Sequence, residues 1–104
     1  MTDWRRIAAL YAQLSARLRS PVIELNRAVA VGMAEGPLAG LAIVDSITHE
    51  PALQNYHLLP GVRGDFLQKL GRHDEARAAF ETAAQLAGNG RDRSLMQRRA
   101  REVP

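Results

Sequence analysis

Residues 70–84 read LGRHDEARAAFETAA, and this stretch decides the fold. Gly71 follows Leu70 and precedes the polar run Arg72-His73-Asp74, which suits a tight turn between two helices. Asp74 and Glu75 stand where acidic side chains favour the positive end of a helix dipole, so a helix opens at His73 or Asp74. Ala76, Ala79, Phe80, Ala83 and Leu86 then recur at threes and fours, the spacing of one helix face. Gly88-Asn89-Gly90 stops that helix. Most of the face is alanine, and small side chains let a partner helix come close.

The same punctuation extends outward. Before Gly71, a helix from about His57 to Leu70 turns Leu59, Val62, Phe66, Leu67 and Leu70 inward, and Pro60 is tolerable because it falls in the first turn. At the other end of the chain, Thr2 or Asp3 caps a first helix with the stripe Trp4, Ile7, Ala8, Tyr11, Leu14 and Leu18. Pro21 suits the first position of a second helix capped by Ser20, running to about Glu35. Its apolar line is Val22, Leu25, Val29 and Met33, and Glu24 stands in an imperfect capping-box register. Gly36-Pro37 breaks the chain and starts a third helix carrying Leu38, Leu41, Ala42, Val44 and Ile47. A connector over Ser46 to Pro51 leads to a short helical turn around Ala52 to Tyr56. The last helix, with Asp92 as its cap, has only Leu95, Met96 and Ala100 to bury, and is expected to be frayed or dependent on a partner. No stretch alternates over strand length, and short loops make neighbouring helices antiparallel. The expected fold is all-α, a row of antiparallel hairpins of five to six helices, with residues 1–90 as the domain and 91–104 as a basic helix or tail.

Composition narrows the function. The absence of cysteine removes disulfides, thiolate zinc sites and a cysteine nucleophile, and a reducing compartment such as the cytoplasm fits. No apolar run approaches the ~20 residues of a membrane span, and the longest, around Ala28 to Ala34, lacks the charged-then-apolar start of a signal peptide. Residues 1–90 hold nine Lys or Arg against nine Asp or Glu, so the net charge of +3 resides in the final fourteen residues. Those carry five arginines (91, 93, 98, 99 and 101) against Asp92 and Glu102. An arginine-rich end can meet phosphates, but no aromatic residue lies among them to stack on bases and no helix-turn-helix unit is evident.

Catalysis has little to build on. The serines lack a nucleophile elbow, no glycine-rich phosphate loop follows a strand, and the carboxylates are scattered at turns. His49, His57 and His73 fall on three separate connectors without ligand spacing, so no metal is expected. No catalytic residue, cofactor or small-molecule substrate is expected either. The candidates for partner binding in the first half are Glu24, Asn26 and Arg27 on the second helix. Asn26 is expected to point partly inward, where a buried amide needs hydrogen-bond partners. Glu24 and Arg27 are one turn apart and can pair. These residues either fix the packing of neighbouring helices or line a groove for a peptide.

Two resemblances add to this reading. The Leu70-to-Ala76 turn, Phe80, Ala83 and, before them, Gly64 and Leu67 resemble a tetratricopeptide repeat, which implies a right-handed superhelical array. Pro60 departs from that pattern, and Trp4 to Tyr11 echoes its first helix. Residues 20–30 (SPVIELNRAVA) and 56–67 (YHLLPGVRGDFL) resemble more specifically the C-terminal helical extension of bacterial extracytoplasmic-function (ECF) sigma factors. The resemblance covers about Thr2 to Gly90 and weakens in the arginine-rich end. It implies a protein-interaction and regulatory domain involved in transcription initiation, whose partners are the parent protein's own sigma regions or RNA polymerase. It also implies that DNA is contacted through regions outside these residues, and that Met1 is not the native start. Tyr56, His57, Arg63 and Asp65 match a Tyr-His and an Arg-x-Asp of that family and join the candidate binding residues. The alternative is a free-standing tetratricopeptide-like adaptor that binds a peptide or protein in trans.

Overall fold

The computed structural model describes residues 2–104. Six helices and one short 3-10 turn account for most of them, and no strand occurs among the described residues. Contacts divide the chain into two compact units, one ending at Gln54 and the other Asn55–Pro104.

The first unit holds α1 (Trp4–Leu18), α2 (Pro21–Glu35), α3 (Pro37–Ile47) and the 3-10 turn Pro51–Leu53. Asp3 caps α1 by accepting from the Arg6 backbone N–H at 3.1 Å. α1 closes on Arg19, which adopts the left-handed conformation at φ 47°. Ser20 caps α2 through the Ile23 N–H, with Pro21 in the first turn. The Glu24 side chain turns elsewhere, so no capping box forms. One residue, Gly36, both ends α2 and starts α3; its φ of 105° and ψ of 165° lie in a region essentially restricted to glycine. α2 is the central helix and packs on both α1 and α3. Leu25, Ala28, Ala30 and Val31 from α2 meet Leu41, Val44 and Ile47 from α3 and Leu53 from the turn.

The apolar stripes differ from expectation on their outer edges. Within this unit α1 packs chiefly on α2, and it buries no residue fully. Leu14 and Leu18, expected inside, are 43% and 63% exposed, and Leu10 beside them is 52% exposed. On α2 the inward line runs through Leu25, Ala28 and Gly32. Val22, Asn26 and Met33, at four- and seven-residue steps, therefore share an adjacent face and are exposed. Leu38 at the start of α3 is exposed as well.

The second unit holds α4 (Leu58–Lys69), α5 (His73–Leu86) and α6 (Gly90–Glu102), with α5 packed on both neighbours. α4 ends in a Schellman turn: Arg72 N–H bonds the Leu67 carbonyl at 2.9 Å and Gly71 N–H bonds that of Gln68 at 3.0 Å. Gly71 supplies the required positive φ of 78°. Ala76, Ala79, Phe80, Ala83 and Ala84 form the buried face of α5. Gly64 of α4 lies directly on the Phe80 ring; a Cβ there would stand 2.9 Å from Cδ1 and Cε1. The small residue anticipated at position 64 is thus demanded by contact.

Of the helix or tail expected over 91–104, the structure has the helix, α6. Asn89, not Asp92, caps it: its Oδ1 accepts from the Asp92 N–H at 2.8 Å while its Nδ2 donates to the Asp92 carboxylate at 3.0 Å. The helix runs to Glu102 and belongs to the same unit as residues 55–90, burying Ala100 and, just beyond its end, Val103. No boundary in the contacts falls at residue 90.

Candidate functional site

In the first unit, the polar residues of α2 form a tie to α1. The Ser15 hydroxyl donates to Glu24 Oε1 at 2.6 Å, and Arg27 bonds both carboxylate oxygens, Nε to Oε1 at 2.7 Å and Nη2 to Oε2 at 3.1 Å. The Arg27 hydrogen bond holds the Glu24 carboxyl below the ordinary carboxylate range against the opposing effect of burial, with Ser15 assisting. Glu24 raises Arg27 in turn. Asn26, expected to join such a network, is exposed, because the adjacent Leu25 takes the inward line. So Glu24, paired with Arg27 along α2, ties that helix to Ser15 of α1, and Asn26 faces outward.

This pair has a pH signature. The folded state depresses the Glu24 pKa, so the stabilisation is fully present above the ordinary carboxylate pKa. It is lost as pH falls through the depressed folded value. Glu24→Gln is expected to cost about 1 kcal/mol at neutral pH, between an exposed ion pair and a shielded charged hydrogen bond. It is also expected to make the acid-side loss of stability shallower. Urea titrations monitored by circular dichroism at pH 7 and near pH 3 check both; identical pH dependence in the two proteins would refute the role.

In the second unit, Tyr56 and His57 precede α4 and Arg63 and Asp65 lie on it. His57 occupies the cap position but makes no side-chain cap bond. Its ring stands edge-on to Tyr56, centroids 6.3 Å apart at 69°, and its Nε2 lies 3.5 Å from the Asp92 carboxylate in the first turn of α6. Asp65 is the α4 end of a three-helix tie centred on Arg99. It accepts from Arg99 Nη2 of α6 at 2.8 Å and pairs with Lys69 Nζ at 3.0 Å. The same Arg99 guanidinium lies 4.7 Å from the centroid of the Phe80 ring of α5. Arg63 acts across the α4–α5 hairpin: the Glu75 carboxyl is held below its usual range first by the Arg72 hydrogen bond, with the Arg63 charge adding to it.

Each unit thus has its own constellation: Glu24 with Arg27 in the first, and in the second Tyr56 against His57, with His57 and Asp65 meeting Asp92 and Arg99 of α6. Among the described residues no group of three or more His, Asp or Glu is placed to hold a metal ion. The Arg99–Phe80–Asp65 tie escaped the sequence reading, since residues 34 positions apart leave no local spacing signal. Leu14 and Leu18 belong to the stripe expected inside on α1 and Leu10 does not, yet all three are exposed.

No protein-family model matches the chain, and no solved structure matches it. An uncharacterized protein of Rhizobium meliloti (strain 1021) is 48% identical over 88 residues, covering 85% of this chain and 20% of that protein. The chain is similar to a fifth of a longer protein. No helix among the described residues is long and apolar enough to cross a membrane.

Proposed function

We propose that the chain is a helical interaction and regulatory domain of an ECF sigma factor, contacting the parent's own sigma regions or RNA polymerase in the cytoplasm. In this reading it supplies a surface rather than a reaction, and DNA contact belongs to the parent's other regions. The observation that carries the reading is the leucine line of α1. Leu10, Leu14 and Leu18 repeat every fourth residue and are all about half exposed or more. Leu10 and Leu14 line a shallow notch of about 260 Å³ with Gln13 and Arg17. An amphipathic helix laid along it would bury these leucines and contribute on the order of a few kcal/mol. The strings at residues 20–30 and 56–67 support the sigma-factor assignment by resemblance.

The test is a promoter reporter driven by the parent gene carrying Leu10→Ser, Leu14→Ser and Leu18→Ser. These side chains are exposed, so helical content is expected to persist. Output is expected to fall about tenfold, which is the loss of roughly 1.4 kcal/mol of contact. Unchanged output with normal helical content would overturn the interaction through α1. A parent gene encoding no sigma regions would overturn the sigma-factor assignment.

A further inference from the structure

We propose that the face shared by α5 and α6 is a groove for an acidic peptide in extended conformation. This surface lies in the second unit, apart from the leucine line, and the proposal holds whether or not the parent is a sigma factor. Both helices contribute to the groove at the same register, positions i, i+4, i+7 and i+8 starting from Arg77 on α5 and Arg93 on α6. The third position of each set is alanine: Ala84 and Ala100 are buried and form a low floor. Longer side chains wall a trough of about 810 Å³.

The walls are cationic. Arg77, Arg93 and Arg101 line the groove against a single acid, Glu81, an excess of two positive charges. Two of the arginines are already braced on main-chain carbonyls. Arg77 Nη2 donates to Val103 O at 3.4 Å and Pro104 O at 3.1 Å, and Arg93 Nη2 donates to Ala87 O at 3.4 Å. Bracing lowers the ordering cost of binding. Arg93 and Arg101 make no ion pair among the described residues, so their charge is available to a ligand.

Geometry selects the form of the partner. From Arg77 to Gln85 is eight residues of helix, about 12 Å, the length of roughly four extended residues. Arg93 stands toward one end of the groove and Arg101 toward the other. Acidic side chains a few residues apart therefore meet a guanidinium at each end, where charge-assisted hydrogen bonds are strongest. Gln97, midway along the α6 side, and Gln85, at the end of the α5 side, present amides that can donate to and accept from a peptide backbone. No aromatic side chain lines the groove. A single-stranded nucleic acid would lack its stacking platform there.

The test uses the 104-residue chain and fluorescein-labelled acetyl-hexaglutamate amide, followed by fluorescence anisotropy at about 50 mM salt to limit screening. Saturable binding is expected, weakened about tenfold by Arg93→Gln with Arg101→Gln, the loss of two charge-assisted contacts. Arg91→Gln, an exposed arginine on α6 outside the groove, is expected to change binding by less than about twofold, because it removes a charge without removing a groove contact. Hexalysine is expected not to bind. Circular dichroism confirms that each variant stays helical. Absence of hexaglutamate binding would overturn the proposal, as would equal losses in the Arg91 and double variants, which would indicate net charge alone. Tighter binding of labelled oligo(dT), sensitive to the same two substitutions, would assign the groove to nucleic acid instead.

Discussion

Phe80→Ala is expected to cost about 3–5 kcal/mol. The ring is fully buried at the centre of the second unit. It presses on the Gly64 backbone from one side and carries the Arg99 guanidinium at 4.7 Å. Truncation removes the apolar contact, opens a cavity against a glycine that has no side chain to fill it, and strips Arg99 of its platform. A loss of that size is a large part of the ~5–15 kcal/mol that stabilises a typical domain. The urea midpoint of the helical signal should fall steeply. The contact with Gly64 adds a sharper expectation. Gly64→Ala alone drives a methyl into the ring and is expected to cost about 1–3 kcal/mol. In the Phe80→Ala background the same methyl enters the vacated space, so its cost should shrink by about 1 kcal/mol or more. Additive losses in the double variant would show that the two residues do not act through each other.

Leu25→Ala is the counterpart in the first unit, with an expected loss of about 2–5 kcal/mol. The buried surface of α2 is otherwise Ala28, Ala30, Val31 and Gly32, so Leu25 is its one large fully buried side chain. α2 is also the helix on which both α1 and α3 pack. Val22 sits one turn earlier on the same helix but is 39% exposed. Val22→Ala is accordingly expected to cost less than about 1 kcal/mol. Equal losses at the two positions, measured by the same urea titration, would contradict the orientation of α2.

The contrast between Leu25 and Val22 also shows what the sequence conveys and what it withholds. Helix ends were legible because their causes are local: Ser20-Pro21, Gly36-Pro37 and the Leu70-Gly71 turn act within one turn of backbone. The buried face of α5 was legible for a similar reason, since its spacing is nearly uninterrupted. On α2, three- and four-residue spacing linked Val22, Leu25, Val29 and Met33 equally well, and only the placement of α1 and α3 selected Leu25. Periodicity says which residues share a face; it does not say whether anything covers that face. Leu14 and Leu18 were misplaced on this account.

The candidate residues divide along the same line. The Glu24–Arg27 pair is one turn long and was readable, whereas the Ser15 hydroxyl that completes it comes from another helix. Asp65 is a candidate through resemblance, and its partner Arg99 lies in residues 91–104, read as a basic helix or tail. The anchors of α6 are Ala100, Val103 and the contacts of Arg99 with Asp65 of α4 and Phe80 of α5 rather than an apolar stripe of its own. Arg77, Arg93 and Arg101 form a groove only once α5 and α6 lie side by side.

The junction at Gly36 has a consequence for heredity. A single base change in the first or second position of a glycine codon gives alanine, valine, serine, cysteine, arginine, tryptophan, aspartate, glutamate or a stop. None of those side chains settles comfortably at φ 105° and ψ 165°. No neighbouring atom lies within 4 Å of where a Cβ would stand, so a lack of space is not the obstacle. The backbone alone makes this codon one at which every single-step amino-acid replacement meets selection, while the exposed leucines nearby can drift unless a partner holds them.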